Sequence, residues 1–216
     1  MKKVDTLLFD LDGTLIDTNE IIIRSYQHAF RAILGKELSK EEIIPQIGPP
    51  LRSIFSRYTK DIEVVDTLIM TYRDYYIEHE QHFHAPYPYV LETLKTLKDS
   101  GYKLGIVTSK SKAAAWPSIK HYSFDKLFDV IITLDDVKNP KPSAEPIKKA
   151  LNHLNRSKAL MVGDNQSDLQ SAQNAQIISV GVHWSIHGPS HLKKVNPDYM
   201  LVTMRDLLSI LKIINH

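Results

Sequence analysis

Residues 4 to 15 read Val-Asp-Thr-Leu-Leu-Phe-Asp-Leu-Asp-Gly-Thr-Leu, in which an apolar run stops at Asp10 and Asp12 and is followed by Gly13 and Thr14. The apolar run predicts a short buried strand. Two carboxylates separated by a single residue at a strand end can bind one hard divalent cation, because such ions take oxygen ligands. With a cation bound, one of the two carboxylates can act as a nucleophile. The stretch therefore predicts a metal-dependent site at the end of a buried strand.

The composition is ordinary for a globular protein. Of the 216 residues, 43% are hydrophobic and 24% are charged. A chain of this length can form one sizeable core, or a core with a small second domain. No apolar run approaches the roughly 18 residues of a membrane span. Met1 to Lys3 lead into Asp5 without the apolar core of a signal peptide. We therefore expect a cytoplasmic protein with no membrane partner.

Cysteine content and charge exclude several classes of function. The chain has no cysteine, so disulfides, thiolate metal sites and a cysteine nucleophile are excluded. The net charge is +2 and the Lys and Arg residues are scattered, which gives no support for a nucleic-acid partner. The 8 glycines form no Gly-rich phosphate-binding loop. A bound phosphate group must therefore be held in another way.

Two patterns of hydrophobic periodicity divide the chain. From Asn19 to about Phe83 the apolar residues recur at helical spacing, and two prolines then end the helical segment. Beyond them strands and helices alternate, which predicts a parallel sheet with helices on both faces. We therefore predict an α/β fold with a core of residues 1–15 and 86–216 and an inserted all-helical unit of residues 16–85.

Polar residues follow each predicted strand. In parallel sheets the carboxyl ends of the strands lie at one edge, and ligands bind there. Strand by strand, the polar residues are Asp10 and Asp12, then Thr108, Ser109 and Lys110, then Thr133, Asp135, Asp136 and Lys141, and finally Gly163, Asp164 and Asp168. The sequence therefore predicts that these polar side chains lie together at one edge of the sheet and form the functional site.

These residues match the requirements of phosphoryl transfer, which are an in-line nucleophile, an acid and positive charge around the phosphoryl oxygens. Asp10 and Asp164 can hold Mg²⁺, and Asp10 can attack phosphorus to give an aspartyl-phosphate. Asp12 can protonate the leaving group and then deprotonate water. Thr108 and Lys141 can hold the phosphate oxygens. We thus predict a Mg²⁺-dependent phosphoryl-transfer site.

Further candidates extend this site. Asp168 can bind the metal directly, bind it through water, or orient its neighbours, and Asp12 is a further candidate metal ligand. In the helical unit, Arg52 can read a second phosphate, although an exposed surface charge is an equally good interpretation. The candidate substrate contacts are Gly13, Thr14, Ser109, Gly48 and Arg52.

Four motifs in order resemble those of the haloacid dehalogenase superfamily. They are Asp10 to Leu15, Ile106 to Lys110, Lys141-Pro142 and Val162 to Asp168. The helical segment after the first motif resembles the cap of the phosphoglycolate phosphatase-like branch. The resemblance implies a Rossmann-like core, Mg²⁺, an aspartyl-phosphate intermediate, and a cap that closes over a small phosphorylated substrate.

Three segments resemble bacterial inorganic pyrophosphatases of that branch, namely Thr133 to Val137, Met161 to Asn165 and Pro197 to Leu201. They favour pyrophosphate as the substrate, with phosphoglycolate or another small phosphomonoester as the alternative. Three positions depart from the family pattern. Tyr89 and Gln176 stand where relatives usually have glycine, and Ala144 stands where the third motif commonly has a second proline.

A receiver-like signalling module is the alternative from another class of protein. Such modules also use a phosphorylated aspartate with a threonine and a lysine at strand ends. The large helical insertion argues against it, as does Asp12, because a long-lived phosphoryl switch has no use for a built-in acid and base.

Overall fold

The computed structural model describes residues 4–216 and divides them into two compact units. The core unit comprises the chain up to Ile16 together with Pro86–His216, and the helical unit comprises Asp17–Ala85. The chain passes from the core unit to the helical unit after Ile16, one residue beyond the predicted boundary after Leu15. The reason is that Ile16 is fully buried among core side chains. Met1 to Lys3, which the prediction placed in the core, lie outside the described residues.

The secondary structure follows the predicted alternation. The strands are β1 (Thr6–Phe9), β2 (Ile16–Asp17), β3 (Ala85–Pro86), β4 (Lys103–Val107), β5 (Val130–Ile132), β6 (Ala159–Gly163), β7 (Ile178–Val182) and β8 (Tyr199–Leu201). The helices are α1 (Asn19–Leu34), α2 (Lys40–Ile43), α3 (Leu51–Phe55), α4 (Ile62–Phe83), α5 (Val90–Asp99), α6 (Lys112–His121), α7 (Phe124–Leu127), α8 (Glu145–Leu154), α9 (Gln166–Asn174), α10 (Pro189–Lys193) and α11 (Asp206–Asn215). Short 3₁₀ turns lie at Ile44–Gln46 and Leu134–Asp136. Among the helices of residues 4–216, none combines the length and apolarity needed to cross a bilayer.

The core unit is built on a parallel sheet with strand order β5-β4-β1-β6-β7-β8. Every residue of β1 is buried. Leu7 and Phe9 pack into one hydrophobic cluster and Leu8 into the other, because successive side chains of a strand point to opposite faces. A strand buried on both faces is typical of parallel sheets. The predicted α/β fold, with a parallel sheet covered on both faces, is confirmed.

The register of the central strands brings their carboxyl ends to one level. Phe9 of β1 pairs with Ile106 of β4 and with Val162 of β6. The residues that follow these three strands therefore lie side by side at one edge of the sheet. Those residues include Asp10 after β1, Thr108 after β4 and Asp164 after β6.

The helical unit has an aromatic core of its own. Tyr26 and Phe30 on α1 pack against Phe55 on α3 and Tyr72 on α4, and all four side chains are buried. The Tyr26 ring lies 5.4 Å from that of Phe55 and 5.3 Å from that of Tyr72, in edge-to-face geometry that favours aromatic pairs. Burial of these large rings stabilises the unit.

Tyr89 and Gln176, where the family resemblance predicts glycine, both have a left-handed backbone, with φ of 68° and 58°. This conformation costs about 1 kcal/mol or more for a residue with a Cβ, whereas glycine adopts it freely. Tyr89 has a compensating contact, because the Arg205 guanidinium lies 3.8 Å from its ring centroid. The Gln176 side chain is exposed.

We expect Gln176→Gly to raise the free energy of unfolding by about 0.5–1 kcal/mol, since relief of backbone strain outweighs the added entropy of the unfolded chain. Urea denaturation measures the change. The control is Ala175→Gly, whose φ of −85° suits any residue, and which should lower stability by about 0.5–1 kcal/mol. A loss of stability in Gln176→Gly would contradict the assignment of strain.

Candidate active site

Three carboxylates meet at the carboxyl edge of the sheet. Asp10 follows β1, Asp164 follows β6, and Asp168 lies in the first turn of α9. One oxygen from each lies within 4.8 Å of the others. Asp164 and Asp168 are buried, whereas the Asp10 side chain is 14% exposed. The edge predicted from the strand ends therefore collects three carboxylates, of which Asp10 is the most accessible.

Lys141 ties this cluster together. Its Nζ lies 3.0 Å from Asp10 Oδ1 and 2.6 Å from Asp168 Oδ1, and it donates a 2.9 Å hydrogen bond to the Val107 carbonyl at the end of β4. The lysine side chain is only 2% exposed. The Lys141 ammonium therefore links the carboxylates of Asp10 and Asp168 to the carboxyl end of β4.

The burial of these charges perturbs their ionisation. Burial raises the pKa of Asp10 to about 7, with the Lys141 ammonium opposing the rise and the Asp168 carboxylate adding to it. Burial and the two neighbouring carboxylates also raise the pKa of Asp164 well above its usual range. Burial disfavours the Lys141 ammonium, but Asp10 and Asp168 outweigh that cost and hold the pKa of Lys141 above its usual range. The site thus has an excess of negative charge that one lysine does not neutralise.

This excess fits a divalent cation. Asp10 Oδ1 and Asp168 Oδ1 both contact Lys141 Nζ, which brings one positive charge to a cluster of three carboxylates. Buried negative charge without a counter-charge is costly, and a hard cation that takes oxygen ligands removes that cost. Asp10, Asp164 and Asp168 therefore form a donor set suited to Mg²⁺. The Asp12 carboxylate is not part of this group, and its predicted role as a metal ligand stays a prediction.

Two glycines make room for the carboxylates. Gly13 has φ of +77°, and a Cβ there would run into the Asp164 carboxylate. A Cβ at Gly163 would likewise run into the side chain of Asp168. Thr14, fully buried beside Gly13, donates a 3.0 Å hydrogen bond to Asp164 Oδ1. The predicted substrate contacts Gly13 and Thr14 thus lie against Asp164, and a substrate role for them stays a prediction.

Two residues that were not predicted to belong to the site, Asn165 and Ser185, hold Asp168 and Asp164 in place. Asn165 caps α9, and its backbone N–H donates a 3.0 Å hydrogen bond to Asp168 Oδ2. Ser185 donates a 2.7 Å hydrogen bond from Oγ to the Asp164 carbonyl. Ser185 is not predictable from the sequence, because no pattern links a serine 21 residues further along the chain to Asp164.

Asp12 and the residues after β4 form a second group at the same edge. Lys110 Nζ lies 3.3 Å from Asp12 Oδ1. The Thr108 hydroxyl accepts a 3.1 Å hydrogen bond from the Lys110 backbone N–H, and Thr108 is buried. Ser109, between them, is half-buried. The structure thus pairs Asp12 with Lys110, whereas Asp10 is paired with Lys141.

Other predicted positions lie elsewhere. Gly48 and Arg52 belong to the helical unit, where the Arg52 guanidinium forms an exposed ion pair with Asp66. Their contact with substrate stays a prediction. Thr133 and Asp136 form a capping box around the turn at Leu134–Asp136, so these two polar residues after β5 have a structural role.

We expect Mg²⁺ to stabilise the protein, by about 2.7 kcal/mol when the ion is at 100 times its dissociation constant. The shift in Tm should be larger at pH 8 than at pH 6, because the raised pKa values of Asp10 and Asp164 make protons compete with the cation. Thermal denaturation with Mg²⁺ or EDTA measures it. Asp164→Asn should lose most of the shift, while the exposed control Asp99→Asn keeps it. Equal shifts in the two variants would contradict the assigned ligands.

Comparison with known proteins identifies the family. The model of a family described as haloacid dehalogenase-like hydrolase matches residues 7–182. Pyrophosphatase PpaX of Bacillus mycoides (strain KBAB4) is 42% identical over 215 residues, which is 99% of each chain. Pyrophosphatase PpaX of Halalkalibacterium halodurans is 42% identical over 210 residues, which is 96% of this chain and 97% of the relative.

Solved structures agree with this match. A predicted phosphatase from Clostridium acetobutylicum is 28% identical with a TM-score of 0.85, covering 98% of this chain and 100% of that one. A predicted phosphoglycolate phosphatase from Haemophilus somnus 129pt, at 24% identity and a TM-score of 0.86, shares the fold over 97% of this chain and 99% of that one.

The chain belongs to the haloacid dehalogenase-like hydrolases. Within that family it is a phosphohydrolase. The family membership that the four sequence motifs predicted is therefore confirmed. The prediction of an enzyme is confirmed over the alternative of a receiver-like signalling module.

Proposed function

We propose that this phosphohydrolase uses Mg²⁺ and hydrolyses inorganic pyrophosphate to two phosphates through an aspartyl-phosphate on Asp10. The observation that carries the proposal is the joint contact of Lys141 with Asp10 and Asp168 beside Asp164. It provides a nucleophile, a fixed positive charge and a donor set for the cation within one site. Pyrophosphate is favoured because the relatives that are 42% identical over nearly the whole chain are named pyrophosphatases.

Asp10 is the proposed nucleophile because it is the most exposed of the three clustered carboxylates and lies at the end of the central strand. One of its oxygens forms a bond to phosphorus while the bond from phosphorus to the bridging oxygen breaks. The attack requires the ionised carboxylate. Lys141 and the cation favour that form over the protonated one.

Asp12 is the proposed acid and base. It gives its proton to the leaving phosphate in the first half of the reaction. In the second half it takes a proton from water, whose oxygen bonds to phosphorus as the bond to Asp10 breaks. Asp12 is thereby reprotonated, and the second phosphate leaves. Its 20% exposed side chain and its separation from the carboxylate cluster suit this role.

The transferred phosphoryl group needs positive charge and hydrogen-bond donors around its three oxygens. Lys141 supplies the charge, and Thr108 and Ser109 at the end of β4 supply hydroxyl groups. Mg²⁺ held by Asp10, Asp164 and Asp168 would neutralise charge on the phosphoryl oxygens. We further propose that the helical unit acts as a cap, in which Gly48 and Arg52 contact the substrate.

A substrate panel tests the proposal. Purified protein is assayed with Mg²⁺ against pyrophosphate, 2-phosphoglycolate and p-nitrophenyl phosphate, with EDTA as the metal-free control. We expect pyrophosphate to have the highest kcat/KM, by a factor of about 10 or more, and EDTA to abolish turnover. Faster hydrolysis of 2-phosphoglycolate would contradict the proposed substrate. Full activity in EDTA would contradict the use of Mg²⁺.

A further inference from the structure

Lys110 is held in a fixed position at the edge of the sheet. Its backbone N–H donates to the Thr108 hydroxyl at 3.1 Å, and its carbonyl accepts a 2.9 Å hydrogen bond from the Leu134 N–H. Its side chain is 13% exposed, and its Nζ lies 3.3 Å from Asp12 Oδ1. The ammonium is therefore anchored beside the proposed acid and base.

The two lysines of the site serve different carboxylates. Lys141 has three N–H donors, and Asp10, Asp168 and the Val107 carbonyl lie within 3.0 Å of its nitrogen. It is therefore committed to the side of the nucleophile. The Lys110 ammonium lies beside Asp12, on the side where the leaving group departs.

Distance places Lys110 near the leaving group. An acid that protonates the bridging oxygen lies about 2.6–3.2 Å from that oxygen. Since Lys110 Nζ is 3.3 Å from Asp12 Oδ1, it lies no more than about 6.5 Å from a bridging oxygen that receives its proton from Oδ1. The oxygens of a leaving phosphate extend beyond the bridging oxygen, which brings them within reach of the ammonium.

We propose that Lys110 binds the leaving phosphate and selects diphosphates over phosphomonoesters, an inference that rests on the proposed function. A departing phosphate is anionic and gains a charge-assisted hydrogen bond from the ammonium. The alcohol or phenol released from a phosphomonoester offers no such group of anionic oxygens. Lys110 therefore stabilises the departure of phosphate specifically.

The test compares substrates in Lys110→Met, which keeps the apolar stem and removes the charge. We expect kcat/KM for pyrophosphate to fall about 10- to 100-fold. For p-nitrophenyl phosphate we expect a fall of less than about 3-fold, because no anionic phosphate leaves. Lys112→Met removes an exposed lysine two residues away and should change neither value. Lys110→Arg keeps the charge and should keep the preference for pyrophosphate even if Lys110→Met fails to fold.

The outcomes separate this inference from the proposed function. An equal fall for both substrates in Lys110→Met would show that Lys110 only positions Asp12, and would overturn the inference alone. Loss of the pyrophosphate preference in a folded Lys110→Arg would overturn it as well. Wild-type protein that hydrolyses p-nitrophenyl phosphate but not pyrophosphate would overturn the proposed substrate, and the role of Lys110 with it.

Discussion

Asp10→Asn should lower kcat by at least about 10⁴-fold, because an amide cannot form the bond to phosphorus that the carboxylate forms. Asp12→Asn is the matched comparison, since it removes a carboxylate two residues away at the same edge. It should lower kcat by about 10²- to 10⁴-fold while phosphorus still becomes attached to Asp10. Rates of phosphate release and of phosphoenzyme formation, measured for both variants, separate the two roles.

The fold of Asp10→Asn should remain intact. Burial raises the pKa of Asp10 to about 7, above the value of roughly 3.9 for an exposed aspartate, so its ionisation lowers the free energy of unfolding progressively between about pH 4 and pH 7, and the full cost is present at pH 8. The neutral amide carries no such cost. In EDTA at pH 8 the variant should be at least as stable as the wild type by thermal denaturation. Normal turnover in a folded Asp10→Asn would contradict its role as nucleophile.

Lys141→Met should lower the free energy of unfolding by about 3–5 kcal/mol in EDTA at pH 8, because it leaves buried carboxylates without their cation. The raised pKa of Lys141 means that its stabilising contribution is fully present below its unfolded pKa and is lost only at higher pH, so the wild type has it at pH 8. The loss should be smaller at pH 5, where the carboxylates of the variant take up protons. Chemical denaturation at the two pH values measures both effects.

The control for Lys141→Met is Lys98→Met. Lys98 pairs with Asp129 at 2.7 Å, but its side chain is 33% exposed, and such pairs contribute at most about 1 kcal/mol. The contrast tests whether burial, and not pairing alone, makes Lys141 important. Similar losses in the two variants would contradict the account of the site.

Much of the fold follows from the sequence because its main elements have strong local signals. The strands β1, β4 and β6 are apolar runs bounded by polar residues, and α4 has a long helical period. The edge strand β8 and the short helices α7 and α10 went unpredicted. They have 3 to 5 residues each, too few for periodicity to distinguish them from loops.

The candidate site was predictable as a set of residues but not as a set of contacts. Parallel strands place Asp10, Thr108 and Asp164 at one edge whatever the details of packing. Which carboxylate each lysine pairs with depends on side-chain directions that no periodicity encodes. The pairing of Lys110 with Asp12 and the hydrogen bond from Ser185 to Asp164 therefore came only from the structure.

Trapping of the phosphoenzyme tests the central claim most directly. Protein turning over pyrophosphate with Mg²⁺ is quenched and treated with borohydride, which reduces an aspartyl-phosphate to homoserine, and the product is located by mass spectrometry. We predict homoserine at position 10, increased in Asp12→Asn and absent from Asp10→Asn. Homoserine at another aspartate, or continued phosphate release with no trapped residue at position 10, would contradict the account.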